Sequence, residues 1–220
     1  MDILLEVLRK KDPQLGLDGI EALYQMVMND QKPSWVHGVY LFSETFDNYD
    51  SSFKAASQLM ARDAAPEVFI IYGGGHGSPG YANLYDELSV FVDKGRIMPI
   101  NIDNPTGINT MSESIALVKF AYEEKRKLFY LVAPPFHMLR AFMTAASVAI
   151  RHGSEINFFA YPGAPQDLNK AVKHSQGRGP FPRWKWFELE LESIKKYLEG
   201  KDIESIPKII KYMQNRKLKF

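Results

Sequence analysis

The stretch VFIIYGGGHGSPG, residues 68–80, decides the fold class of this 220-residue chain. An apolar, β-branched run stops abruptly at three consecutive glycines, and two more glycines follow within the next five residues. Such a run is typical of a buried strand that ends in a loop. Glycine adopts backbone dihedrals that other residues avoid, and it lets main-chain N–H groups approach a ligand closely. The stretch therefore predicts a strand that opens into a loop suited to phosphate, carboxylate or a nucleotide.

The pattern outward from this loop predicts five strands that alternate with helices. Besides 68–72, strands are expected at 35–42, 97–102, 128–133 and 156–161, with helices at 53–60, 81–92, 111–124 and 137–150. This alternation favours a Rossmann-like three-layer α/β sandwich with a mainly parallel five-stranded sheet. Ligands of such sheets bind beyond the carboxyl ends of the strands, where the strand order reverses. The loops that follow the strands are therefore expected to form the functional site.

The terminal parts of the chain are expected to add helices to this core within one globular unit. Residues 1–34 predict an N-terminal helical cap, 35–165 the Rossmann-type core, and 166–220 a helical extension that packs on the core. These helices are compatible with capping the fold or with forming a homodimer. The basic and aromatic segment at 178–187 suggests a lid or a nucleic-acid platform. A C-terminal helix packed on the domain explains it more simply.

The composition excludes several classes of function. The net charge is +1, from 27 basic and 26 acidic side chains, so no overall field recruits nucleic acid or an anionic membrane. The chain has no cysteine, which excludes disulfides, zinc–thiolate sites and thiol catalysis. The amphipathic start MDILLEVLRKKD is not a signal peptide, and no apolar run approaches the roughly 20 residues that span a bilayer. We therefore expect a cytoplasmic protein.

The glycine loop predicts a ligand cradle. It matches neither the dinucleotide fingerprint nor the phosphate loop, which needs Lys and Ser or Thr after its last glycine. Five glycines exceed what one tight turn requires, although such a turn is the plain alternative. The residues expected to hold the ligand are Gly73, Gly74, Gly75, Gly77 and Ser78. His76 in the same loop is a candidate acid–base group because its reference pKa lies near neutrality, and a surface histidine is the alternative.

The loop after the third strand supplies a second set of candidates. Thr110 and Glu113 match the T-x-x-E pattern of a capping box, which would explain both residues structurally. Asp103 and Asn109 lie at the carboxyl end of the same strand and are suited to hold ribose or other hydroxyls. A helix N-terminus there also attracts an anion. The structural and the functional interpretation both stay open at this point.

A third set of candidates follows the fourth strand, and one more acid follows the first. The Pro134–Pro135 corner ends the strand and His137 opens the next helix. Arg140 lies three residues on, on the same face, and would bind a carboxylate or phosphate with two hydrogen bonds. The alternative is a helix-start histidine and a surface arginine paired with an acid. Glu44 is the acid best placed to face the site, with a solvated loop as its alternative. The spacings indicate no metal site.

Together, these loops resemble the YdcF/SanA/ElyC-type family of bacterial proteins. The resemblance covers about residues 36–162 and rests on the glycine loop (IIYGGG and GHGS), the Asn109–Thr110 pair, H-M-x-R-A at 137–141 and YPGAPQ at 161–166. It implies a Rossmann-like α/β domain with additional helices. The GHGS and YPGAPQ stretches resemble the soluble YdcF-like branch, which is associated with binding S-adenosylmethionine. Envelope-anchored members are linked to cell-wall processes.

The chain departs from this family in two places. The family usually has an acid three residues after the Asn of its Asn-Thr pair, but Ser112 occupies that position here and Glu113 comes one residue later. The acidic pair that usually precedes the Asn-Thr pair is displaced, and Asp103 is its nearest equivalent. These departures concern the polar lining of the pocket and not the fold.

The first functional hypothesis is a protein that binds a nucleotide-type ligand, with S-adenosylmethionine as the named candidate and transferase as the candidate activity. The backbone of residues 73–78 would hold the carboxylate or phosphate end. Asp103 or Asn109 would bind hydroxyls, and His137 with Arg140 would bind an anionic partner. The expected partner is a small molecule, and neither nucleic acid nor a membrane.

Two further hypotheses remain. One is a hydrolase or transferase that acts on a phosphorylated or acidic small molecule, with His137 or His76 as acid–base group and Arg140 stabilising negative charge. The other is a noncatalytic, ligand-binding regulatory module. None of the loops contains an obligatory nucleophile, so the sequence does not separate these three functions.

Overall fold

The computed structural model of the protein describes residues 2–73, 80–103, 108–173 and 179–216. Within these ranges the chain forms an α/β domain, as the sequence predicts. The site candidates that lie outside the described residues are Gly74, Gly75, His76, Gly77 and Ser78.

Five strands form one parallel sheet, which confirms the predicted fold class. They are β1 (Gly38–Leu41), β2 (Val68–Tyr72), β3 (Ile97–Asn101), β4 (Leu128–Val132) and β5 (Asn157–Ala160). Their spatial order is β3-β2-β1-β4-β5, and every neighbouring pair is parallel. The order reverses between β1 and β4, so these two strands form the topological switch point where ligands of such sheets bind.

The described residues also form eight α-helices. They are α1 (Asp2–Leu15), α2 (Ile20–Met28), α3 (Phe46–Ala61), α4 (Gly80–Leu88), α5 (Thr110–Glu123), α6 (Met138–Arg151), α7 (Arg183–Glu199) and α8 (Ile206–Asn215). A two-stranded antiparallel ribbon, β6 (Ala171–Val172) and β7 (Phe181–Pro182), precedes α7 and was not expected from the sequence. None of the helices in the described ranges combines the length and the apolar character needed to cross a membrane.

Side chains of the strands alternate between two apolar layers. Val39 and Leu41 of β1 face a layer that contains residues of α3 and α4. Tyr40, between them, faces a second layer built with α5 and α6, to which α1, α2, α7 and α8 also contribute. This alternation is the two-residue period of a strand covered on both faces. The sheet is therefore the middle layer of a three-layer sandwich.

The segment after β1 differs from the expectation. The sequence predicts a polar loop over residues 43–51 and a helix over 53–60, but α3 begins at Phe46. Tyr49 and Phe53, four residues apart, are both buried and stack with ring centroids 5.2 Å apart. Their helical spacing is hidden by the polar residues between them. Only a short connection, residues 42–45, separates β1 from the helix.

The aromatic segment near α7 packs inside the domain. Trp186 and Phe187 are buried, and the indole N–H of Trp186 donates to the backbone carbonyl of Val172 (3.0 Å). Arg183 is buried as well and donates to Asn48 Oδ1 (3.0 Å). These three side chains are engaged in packing and hydrogen bonds within the domain, and Arg178 of the same segment lies outside the described residues.

An ion pair between the two terminal parts of the chain covers the outer edge of β5. Arg216 and Asp30 are both about 2% exposed, and Arg216 Nη1 donates to Asp30 Oδ2 (2.7 Å). The backbone N–H of Ala160 donates to Asp30 Oδ2 (2.8 Å), and the carbonyl of Phe158 accepts from Arg216 Nη1 (2.6 Å). Side chains thereby satisfy backbone groups that would otherwise offer a pairing edge to another strand.

Candidate functional site

The carboxyl ends of β1 and β4 bring Glu44 and His137 together at the switch point. Glu44 follows β1, and His137 precedes α6 after β4. His137 Nε2 lies 3.9 Å from Glu44 Oε1, and both side chains are 3% exposed. The sequence offered a solvated loop as the alternative for Glu44, and its burial contradicts that alternative. Two ionisable groups that are distant in sequence therefore share one buried site.

The corner before α6 sets the position of His137. Pro134 and Pro135 end β4, and the backbone N–H groups of His137 and Met138 both donate to the Pro134 carbonyl (2.9 and 3.0 Å). This turn starts α6 at Met138. Almost every residue of α6 is buried, including Arg140. A charged side chain on such a helix requires a partner inside the protein, because an unpaired buried charge is strongly unfavourable.

Glu190 of α7 is the partner of Arg140. Arg140 Nε donates to Glu190 Oε2, and Arg140 Nη2 donates to Glu190 Oε1 (3.1 Å). Arg140 Nη1 donates to the hydroxyl of Thr110 (2.8 Å). Burial lowers the pKa of Arg140, but the attraction and hydrogen bonding of the Glu190 carboxylate together are larger than the effect of burial. The pKa of Arg140 is therefore above its ordinary value. The charge of Arg140 is thus balanced within the protein, which leaves little of it for an anionic ligand.

Glu190 also contacts His137. His137 Nδ1 lies 3.2 Å from Glu190 Oε1, on the opposite side of the ring from Glu44. A carboxylate beside one ring nitrogen orients the imidazole and leaves the other nitrogen to face the site. The arrangement is suited to proton transfer at Nε2.

The sequence did not single out Glu190, although a signal for it exists. Trp186, Phe187, Leu191 and Ile194 form the buried stripe of α7, and Glu190 occupies a position within that stripe. An acid among apolar residues at helical spacing predicts a buried carboxylate with a partner.

The capping box at the start of α5 lies one residue earlier than the sequence predicts. Asn109, rather than Thr110, is the N-cap and has an extended backbone with φ −150°. Its side chain accepts from two backbone N–H groups of the first turn (2.9 and 3.0 Å), and Ser112 Oγ accepts from the Asn109 N–H (2.9 Å). The T-x-x-E interpretation is therefore wrong by one residue, because the extended residue that precedes the helix is Asn109. Glu113 has no capping role.

Glu113 instead points into the domain. It is 3% exposed, and its Oε2 accepts from the hydroxyl of Tyr40 (2.7 Å) and from the backbone N–H of Ser43 (3.1 Å). Burial raises the pKa of Glu113 to about 7 against the opposing effect of these two hydrogen bonds, and the neighbouring charge of Glu44 raises it further. The carboxyl group therefore changes its protonation state near neutral pH.

One carboxylate oxygen of Glu44 receives no hydrogen bond from the described residues. Within the part of the chain that the structure describes, its Oε2 is buried and has no hydrogen-bond partner. A buried carboxylate oxygen without a donor is costly, so a native structure retains one where it serves a purpose. Any donor to this oxygen must therefore come from outside the described residues.

The other sequence candidates among the described residues are Asp103, Asn109 and Gly73. Asp103 is exposed and lies 3.6 Å from Lys119, measured between Oδ1 and Nζ. Asn109 caps α5, as described above. Gly73 directly follows β2, the neighbour of β1 in the sheet. The structure thus brings together five candidates, which are Glu44, Thr110, Glu113, His137 and Arg140.

A cavity of about 350 Å³ opens at the same edge of the sheet. The loop after β5 lines it over residues 161–166, and Pro135, two residues before His137, lines it as well. Gln166 Oε1 is buried there without a hydrogen-bond partner among the described residues. This volume is within the range of small-molecule sites. Across the described ranges, no group of three or more His, Asp and Glu side chains has an arrangement that could hold a metal ion.

Comparison with known proteins finds no matching family model, no matching curated protein and no matching solved structure.

Proposed function

We propose that the chain binds a nucleotide-type small molecule at the switch point between β1 and β4, with S-adenosylmethionine as the first candidate and transferase as the candidate activity. The observation that carries this proposal is Glu44 Oε2, a buried carboxylate oxygen without a partner among the described residues. In sheets of this topology, a carboxylate at a strand end commonly accepts from the hydroxyls of a ribose. Glu44 has the chemistry for that role or for binding a ligand ammonium group.

The charges of the site favour a ligand that is not purely anionic. Arg140 and Glu190 compensate one another through their direct contact. Glu44 and the partly ionised Glu113 then leave a negative balance in the cluster. S-adenosylmethionine carries a sulfonium and an ammonium group, so it suits these carboxylates better than a nucleoside triphosphate does. The resemblance to YdcF-like proteins supports the same ligand.

The carboxylate end of the ligand is assigned to the glycine loop in this proposal. Gly73 leaves β2 directly beside β1, so the loop begins next to Glu44 in the sheet order. Loop residues 74–78 lie outside the described residues. Their role stays a prediction from the glycine content, and membership of the YdcF-type family and a cytoplasmic location belong to the same proposal.

Calorimetric titration tests the proposal with S-adenosylmethionine, S-adenosylhomocysteine and ATP as separate ligands. We expect saturable binding of the first two and weaker binding of ATP, because its phosphates are repelled by the carboxylates. The absence of both a heat change and a thermal shift with all three compounds would contradict the proposal.

Glu44→Gln is the informative variant, with Glu123→Gln as its matched control. The glutamine side chain has the same shape as glutamate but lacks the charge, so we expect affinity to fall by at least about tenfold. Glu123 lies on α5 and is exposed, and its replacement should leave affinity unchanged. Equal affinities of the two variants would show that the negative charge of Glu44 makes no contribution to ligand binding.

A second candidate, catalysis on a phosphorylated or acidic small molecule, is favoured by Glu113. A carboxyl group with a pKa of about 7 can both donate and accept a proton at neutral pH. His137, oriented by Glu190, supplies a second group capable of proton transfer. Because Arg140 is compensated by Glu190, this candidate places the negative charge of the substrate at the glycine loop.

Turnover assays separate this candidate from a binding protein. Hydrolase and transferase activity would be measured from about pH 5 to 9, and a catalytic Glu113 predicts a rate that changes near pH 7 and is lost in Glu113→Gln. Binding of ligand without turnover on broad substrate panels would identify the noncatalytic regulatory module.

A further inference from the structure

A second cavity lies at the opposite, amino edge of the sheet and has no part in the site above. Its volume is about 640 Å³, in the middle of the range for small-molecule sites. His37, which precedes β1, lines it together with Leu128 at the start of β4 and Asn157 at the start of β5. One face of α8 forms the facing wall. We name this cavity the amino-edge cleft.

The inner surface of the amino-edge cleft is apolar and aromatic. Leu128, Ile150 and Ile156 supply aliphatic groups, and Trp35 and Tyr212 supply rings. The hydroxyl of Tyr212 donates to the Ile156 carbonyl (2.9 Å) and accepts from a backbone N–H (2.8 Å), so its polar group is already satisfied. Trp35 is 48% exposed, which is unusual for a residue of its size. This surface fits an apolar body.

Three lysines surround this apolar surface. Lys208 and Lys211 lie three residues apart on α8, on the face that lines the cleft, and Lys127 lies across from them beside β4. Lys127 pairs with Glu155 (2.5 Å) and Lys208 pairs with Glu204 (2.7 Å). Lys211 has no ion-pair partner among the described residues. Among the described residues of the rim, Lys211 is therefore the lysine whose ammonium group is available for an external anion.

His37 adds a neutral hydrogen-bond donor to the same cleft. Its Nδ1 accepts from the backbone N–H of Leu128 (3.2 Å). Burial and the nearby charge of Arg126 lower the pKa of His37, so the ring is neutral at physiological pH. A neutral imidazole that accepts at Nδ1 carries its proton on Nε2. The cleft thus combines an apolar surface, a free ammonium and a neutral donor.

We propose that the amino-edge cleft binds a small molecule with an apolar body and a single carboxylate, whose body packs against Trp35 and Ile156 and whose carboxylate pairs with Lys211. Charge complementarity selects this class of ligand. A neutral apolar ligand would leave Lys211 unused, and a small inorganic anion would leave the apolar surface uncovered. An acyl chain and an aromatic ring both provide such a body, and the experiment distinguishes them.

Calorimetric titration with decanoate, 1-naphthoate and decan-1-ol tests the proposal on the full chain. We expect one of the two carboxylates to bind saturably, and the tighter one identifies an acyl or an aromatic body. Decan-1-ol has the apolar chain without the charge and should bind at least about tenfold more weakly than decanoate if the acyl body is correct. Failure of both carboxylates to bind would overturn the proposal.

Two exposed lysines provide matched variants. Lys211→Glu should lower the affinity of the bound carboxylate by about tenfold or more, because it replaces an attraction with a repulsion. Lys196→Glu makes the same charge change on α7, outside the cleft lining, and should leave affinity unchanged. Equal losses in the two variants would indicate attraction by overall charge alone and would overturn the proposal.

Trp35→Ala tests the apolar part independently. Because about half of Trp35 is exposed, we expect a variant that still folds and that binds the carboxylate at least about tenfold more weakly. Unchanged affinity in this variant would place the ligand elsewhere. Because the cleft and the switch point lie at opposite edges of the sheet, Glu44→Gln should not alter binding of either carboxylate.

Discussion

The ionisable side chains of the switch-point cluster are buried, whereas the lysines of the amino-edge cleft surround an apolar surface and stay exposed. Arg140 and Glu190 are less than 10% exposed and contact each other directly. Lys208, by comparison, is 63% exposed although it also pairs with an acid. Water screens the second kind of pair and not the first. The same residue types therefore affect stability and protonation at one edge and mainly ligand attraction at the other.

The largest expected effect comes from removing the buried guanidinium. Arg140→Met leaves Glu190 without its partner, and loss of one member of a buried pair costs about 3–5 kcal/mol. Lys211→Met removes an exposed charge and should change the free energy of unfolding by no more than about 0.5 kcal/mol. Urea unfolding of both variants measures the difference.

The double variant Arg140→Met/Glu190→Leu is the control for this comparison. Removal of both charges eliminates the buried carboxylate that Arg140→Met leaves without its guanidinium, so most of the lost stability should return. A double variant that is less stable than Arg140→Met would show that the loss of stability comes from losing the interactions of the pair and not from leaving Glu190 without its guanidinium.

The second prediction concerns the pH dependence of stability. The folded pKa of Glu113 is about 7 against an ordinary 4.5, so this group favours the folded state below pH 4.5 and loses that contribution as pH rises to 7. The loss is on the order of 3 kcal/mol. Glu113→Gln removes this titration, so the stability of the variant relative to the native chain should increase between pH 4.5 and 7 and then level off.

Urea unfolding at a series of pH values provides the measurement. Glu123→Gln, an exposed acid on the same helix, should keep the pH profile of the native chain. A Glu113→Gln profile parallel to that of the native chain would contradict the elevated pKa.

The smallest expected effect on stability comes from the N-cap of α5, which we expect to be energetically independent of the site. Asn109→Ala removes the side chain that accepts from two backbone N–H groups and should lower the free energy of unfolding by about 1 kcal/mol. The pH dependence due to Glu113 should persist, because its hydrogen bonds come from Tyr40 and Ser43. Thermal or urea unfolding at about pH 5 and 8 measures both quantities. A changed pH profile would show that the cap and the site are coupled.

The sequence predicted the sheet well because its strands are apolar runs that end at glycines, prolines or polar residues. The same reasoning missed the start of α3, where polar residues conceal the four-residue spacing of Tyr49 and Phe53. It also shifted the cap of α5 by one position. T-x-x-E at Thr110 and N-x-x-S at Asn109 are both acceptable capping patterns, and only the backbone conformation selects the second.

The candidate site, like the fold, was predicted from the sequence only in part. Glu44 and His137 could be predicted to meet, because parallel strands place their carboxyl ends at one edge of the sheet. The pairing of Arg140 with Glu190 could not, because the two residues lie 50 positions apart on helices of different parts of the chain. Local spacing carries no information about how such helices pack.

The sequence by itself determined the parallel α/β fold and the edge at which Glu44, Thr110, Glu113, His137 and Arg140 would gather. The tertiary structure alone decided that Arg140 is neutralised by Glu190, that Glu113 has a pKa of about 7 and that one oxygen of Glu44 has no donor among the described residues. The physical reason is that strand direction follows from the order of local elements. Protonation and charge pairing depend on distances through space and on the exclusion of water.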